Sequence, residues 1–184
     1  MKFSTTIALI VTTLLISTQT RGQNSEVSRA TLVGLPGVMV YVDSLAQHLV
    51  DRGMTEDVFR VEIERCLREN GVKLLNPAVD GEVPGNPILY VGITSIFQEG
   101  LERVHYGIRV ELTQTVRLER NPGLAVFNVP TWSVGGIGFY GVGWRDAMIS
   151  DVVGFTQQFI DAFYTANPLL RPEKSDSSKV GTSY

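Results

Sequence analysis

The sequence predicts an α+β domain: a two-layer α/β sandwich whose mostly antiparallel sheet carries two main helices on one face. Three observations lead there. In VHYGIRVELTQTVRLE, residues 104–119, seven of the eight even positions are apolar and no odd position is. That period of two marks a strand with one dry face and one wet face, as in antiparallel sheets. Two further stretches, near residues 55–70 and 145–166, carry apolar side chains at helical spacing. Two amphipathic helices and one amphipathic sheet satisfy each other as two packed layers.

Residues 1–22 read as a secretory signal peptide, with Lys2 ahead of an apolar run over residues 7–16 and the polar STQTRG after it. A run of ten residues is short for a membrane span, which needs about twenty. With residues 1–22 removed, no transmembrane span is expected and the product is periplasmic or extracellular. Losing Lys2 and Arg21 leaves 14 basic against 19 acidic side chains, a balance of −5. That balance argues against nucleic acid as a partner. Residues 23–35 are expected to be a flexible segment, residues 36–168 a single domain, and residues 169–184 a disordered tail.

Residues 38–42 (VMVYV) are a strand expected in the same sheet. Thr55 is a good N-cap, with Glu56 and Asp57 suited to a first helical turn. Phe59, Ile63, Cys66 and Leu67 then fall on one helix face, and Gly71 stops the helix. The lone cysteine, Cys66, therefore reads as a core residue. Residues 72–75 are expected as a short strand, and residues 88–97 (ILYVGITSIF) as a longer one. After the period-two strand, Asn121-Pro122-Gly123 fits a type II turn. The chain returns over residues 124–134 as a strand that Pro130 confines to an edge or a bulge. The last helix carries Met148, Ile149, Val152, Val153, Phe159, Ile160, Phe163 and Tyr164 inward. Such side chains contribute about 1.5–3 kcal/mol each when fully buried.

TWSVGGIGFYGVGW, residues 131–144, holds five glycines and spells G-x-G-x-x-G from Gly136 to Gly141. A dinucleotide fingerprint needs a helix opening on the glycines and an acid closing the next strand. Here the helix begins several residues after Gly141, and Asp161, at the right count, lies inside it. No cofactor is expected. The segment reads instead as a strand-to-helix loop. It either folds over the core or presents Trp132, Ile137, Phe139, Tyr140 and Trp144 to a partner. The polar face of the long strand, with His105, Arg109, Glu111 and Arg117, is the second candidate surface; a plain solvated face is its alternative.

Only two histidines occur, His48 and His105, too few for a zinc site of recognisable spacing. No G-x-S-x-G elbow is present, and Glu102, Glu111 and Asp146 are ordinary surface carboxylates unless geometry gathers them. No catalytic residue is assigned.

The order of elements, seen in VEIERCLRENGVKLL, then ILYVGITSIF and YGIRVELTQTVRL, resembles small bacterial envelope domains over residues 36–166. These are the TolB amino-terminal domain, the periplasmic region of curli-export lipoproteins and the lipoprotein activators of penicillin-binding proteins. Many of those carry a lipid-anchoring cysteine after the leader; this chain has none there. The resemblance implies an exported binding or assembly module whose partner is another envelope protein or a glycan. It assigns no functional residue and no oligomeric state. A small secreted hydrolase and an apolar-ligand carrier are the alternatives.

Overall fold

The period-two stretch folds as one long strand in the computed structural model, which describes residues 24–101 and 103–172. The expected signal peptide, Glu102 and most of the expected tail lie outside the described residues. Four strands are hydrogen-bonded in the order β1-β2-β3-β4. They are β1 (Met39–Val42), β2 (Ile88–Gln98), β3 (Arg103–Leu118) and β4 (Asn121–Tyr140). β1 runs parallel to β2, and the other two pairings are antiparallel. The fold is thus the expected two-layer α+β sandwich.

The alternation in β3 translates directly into burial. Val104, Tyr106, Ile108, Val110 and Leu112 are all buried. Their odd-numbered neighbours face away from the helices. On the dry side lie α3 (Glu56–Glu69) and α5 (Trp144–Ala166), packed on each other, with α5 over β3 and β4 and α3 over β1. Thr55 caps α3, its hydroxyl accepting from the Val58 N–H at 3.4 Å. Phe59, Ile63, Cys66 and Leu67 are the buried residues of α3, the four that helical spacing selects. Trp132, Phe59, Phe159 and Met148 are fully enclosed between the layers.

Short helices α1 (Glu26–Ala30), α2 (Gln47–Val50) and α4 (Pro77–Asp80) complete the chain order. Residues 24–35, expected within a flexible segment, hold α1 and pack against the core. Leu32 is fully buried, and Asn167 ties the segment to the end of α5. Its Oδ1 accepts from the Gly34 N–H at 2.8 Å, and its Nδ2 donates to the Leu32 carbonyl at 2.8 Å. Two buried leucines, Leu32 and Leu35, and a distant amide are too sparse a pattern to stand out in sequence. At the other end, Pro168–Leu170 is a 3-10 turn, so the ordered chain reaches past residue 169.

Three further expectations change. Residues 72–75 contribute a single parallel bridge, Val38 to Leu74, rather than a strand. The β3–β4 turn is Glu119-Arg120, because Asn121 already pairs with Leu118. Gly123 does not adopt the positive φ that a type II turn demands. Finally, residues 131–140 of the glycine-rich segment are not a loop but the second half of β4.

The reason lies in what the glycines face. A Cβ on Gly136 would sit 2.9 Å from the Phe155 ring of α5, and one on Gly138 would collide with the Tyr106 ring. A Cβ on Gly135 would strike the Ile108 carbonyl oxygen of β3. These glycines lack side chains so that rings and backbone can approach β4 closely, not so that the chain can flex. Pro130 sits where expected, on an edge strand beside a register shift between Leu112 and Thr113.

Candidate functional site

The register of the sheet assembles the outer face, on the side away from α3 and α5. Ile96 pairs with His105 and His105 with Phe139, one row across β2, β3 and β4. The next row is Thr94, Gly107 and Ile137. Ile96 is 72% exposed, Ile137 94% and Phe139 53%. The His105 and Phe139 rings lie 4.3 Å apart, and the Arg103 guanidinium sits 5.6 Å from the Phe139 ring. A hollow of about 530 Å³ opens among Ile96, His105, Ile137 and Phe139. At this end the outer face is apolar, where sequence alternation marks β3 alone as polar.

Further along the same face the chemistry turns polar. Tyr41 of β1 and Tyr90 of β2 stack at 5.9 Å, and the Arg109 guanidinium lies 5.8 Å from the Tyr90 ring on its other side. Arg109 Nε and Glu111 Oε1 form an ion pair at 3.2 Å. The Tyr90 hydroxyl donates a short hydrogen bond to Asp43. That bond, with the Ser44 N–H, holds the Asp43 carboxyl below its usual range, and it pushes the Tyr90 phenol up. A second hollow, of about 520 Å³, is lined by these tyrosines, Arg109, Glu111, Asn128 and Pro130. Asn128 has φ +54°, a conformation costly for a residue with a side chain.

The sequence candidates therefore divide. Trp132 and Trp144 are 0% and 8% exposed, so neither can present a ring to a partner. Trp132 packs edge-on against Phe159 at 5.4 Å and donates to Asn24 Oδ1 at 3.0 Å. Ile137, Phe139 and Tyr140 remain exposed, but on a strand rather than a loop. Within the polar set, His105, Arg109 and Glu111 share the outer face with Ile137 and Phe139; Tyr140 lies on the helix side, opposite Val104 and stacked on Tyr106 at 5.9 Å. Arg117 stands apart, on the part of the β3–β4 hairpin beyond the end of β2, where it donates to the Pro122 carbonyl at 3.0 Å. Glu111 and Asp146 do not meet: Glu111 faces outward on β3 and Asp146 opens α5.

Sequence reasoning missed one contact with chemical content. Ser95 Oγ and His48 Nε2 are 3.0 Å apart at the rim of the helix layer. A nucleophile and base at this distance invite comparison with a catalytic pair. Among the described residues, the other ring contact of His48 is Phe97, at 6.3 Å, and no carboxylate orients the imidazole.

No protein-family model matches the chain, and no curated protein matches it either.

The described residues contain no group of three or more His, Cys, Asp or Glu side chains placed to hold a metal ion. No helix among them is long and apolar enough to cross a membrane. What distinguishes the molecule is its outer sheet face, apolar at one end and aromatic and charged at the other.

Proposed function

We propose that this chain is an exported, non-enzymatic binding or assembly module of the bacterial cell envelope, and that the outer face of its sheet is the contact surface. The observation that supports the reading is the exposed row of Ile96, His105 and Phe139 with Ile137 beside it. Large apolar side chains gathered on one uncovered face mark interaction surfaces in soluble proteins. An apolar centre flanked by Arg, Tyr and Glu matches the usual anatomy of such surfaces. Export is supported by Lys2 and the apolar run over residues 7–16. The resemblance of element order to envelope domains agrees with both.

Ile96→Glu and His105→Glu test the reading, since both positions lie on the outer face and carry little of the fold. Each variant is expected to keep the thermal unfolding midpoint of the parent chain and to lose most of its association with the envelope fraction. Undiminished association of both variants contradicts the proposal.

One observation favours a second reading, a small hydrolase: the Ser95–His48 contact at 3.0 Å. If Ser95→Ala abolishes a measured turnover while the protein stays folded and still associates with the envelope, that reading replaces the first. The carrier reading has less support, because Trp132, Phe159, Phe59 and Met148 fill the layer where a ligand would sit.

A further inference from the structure

β4 is the edge of the sheet, and its twenty residues, Asn121–Tyr140, include no charged side chain. Exposed edges template the pairing of another strand, and proteins blunt them with lysine, proline, bulges or a covering element. The first half of β4 is blunted in all but the first of those ways. Pro122 and Pro130 remove donors, the register shifts near Thr113, and Asn128 breaks the extended backbone. The residue after α1 also reaches it, with Thr31 Oγ1 3.4 Å from the Thr131 carbonyl oxygen. The second half, SVGGIGFY from Ser133 to Tyr140, has none of these devices among the described residues.

This half is also complementary to itself. Laid antiparallel to an identical strand about a two-fold axis at Ile137, it places Gly135 opposite Phe139 in both directions. Gly136 then meets Gly138, and Ile137 meets its own copy. Side chains directly opposite in an antiparallel pair share a face. Gly135, Ile137 and Phe139 all belong to the outer face, so each Phe139 ring would lie over a residue without a side chain. An aromatic ring covering a glycine on the neighbouring strand is a known way to fix register. The absence of charge means that self-pairing brings no like charges together. A partner strand bearing charge would find no counter-ion anywhere along β4.

We infer that the Ser133–Tyr140 edge of β4 is a homodimer interface, pairing with a second copy of this chain to give a continuous eight-stranded sheet. Closed two-fold pairing consumes this edge in both copies, so association through β4 stops at two. The outer faces of the two copies would then join into one surface. The inference does not depend on what that surface binds.

Sedimentation of the full chain at micromolar concentrations tests it, together with two variants at the centre of the pairing. The parent chain is expected to sediment as a dimer. Ile137→Lys places like charges directly opposite across the axis and is expected to sediment as a monomer with an unchanged circular dichroism spectrum. Ile137 is 94% exposed, so the substitution leaves the fold alone. In the other variant, Ile137→Cys, a short bis-maleimide is expected to join two copies in high yield. Val142→Cys, 97% exposed but beyond the strand, is expected not to be joined. The native Cys66 is buried and gives no background. A monomeric parent chain overturns the inference. So does a dimer that survives Ile137→Lys, or equal crosslinking at positions 137 and 142.

Discussion

At the residue scale, the glycines of β4 show how one residue type answers different demands. Gly138 lies under the Tyr106 ring, while Gly141 has nothing within 4 Å of where a Cβ would go. Gly138→Val is therefore expected to cost roughly 1–3 kcal/mol, the usual penalty for overpacking. Gly141→Val should change stability by less than about 0.5 kcal/mol. Chemical denaturation of both variants checks the contrast. Tyr106 supplies a second prediction. Burial first, and then its hydrogen bond to Asp151 at 2.8 Å, pushes its phenol well above the ordinary value. A group whose folded pKa is raised contributes stability below its unfolded pKa, about 10 for tyrosine, and loses it as pH climbs through the folded value. Parent and Tyr106→Phe chains should therefore converge in stability as the solution is made alkaline beyond about pH 10. Cys66 follows the same logic: burial raises its thiol pKa, and alkylation of the folded chain should be slow until denaturant is added.

At the scale of elements, the Tyr90–Asp43 hydrogen bond ties β2 to the residue that follows β1. The folded-state pKa of Asp43 is lowered, so its contribution is present above the unfolded value, near 3.9, and fades as pH falls through the folded one. The stability difference between the parent chain and Asp43→Asn should shrink below about pH 4, measured by denaturant midpoints at successive pH values. Periodicity made β3, α3 and α5 legible in the sequence, because each has one apolar face in a regular rhythm. β2 was legible as a strand but not in phase, since ILYVGITSIF is apolar on both faces. Ile96 could thus be recognised as an outward residue only through its pairing with His105. The second half of β4 was hidden by a correct general rule, that glycine weakens strands. Here the rule yields to Phe155 and Tyr106, which come from elsewhere in the chain and occupy the space that side chains would need.

At the scale of the molecule, the two layers differ in completeness. The helix side closes over a filled core, with Trp132 and Phe159 at its centre. Trp132→Ala should cost about 3–5 kcal/mol in a denaturation experiment, the range for removing a large buried aromatic side chain. Among the described residues, the outer side carries Ile96, Ile137 and Phe139 toward solvent. Covalent footprinting, run on the purified chain and on the chain in its native compartment, tests most directly whether a partner covers that face. Ile96 and His105 are expected to be labelled freely in the purified chain and protected in the native setting. Val61, 53% exposed on α3, is expected to be labelled equally in both. Equal labelling of Ile96 and His105 in the two settings, or protection confined to the helix side, would contradict the account.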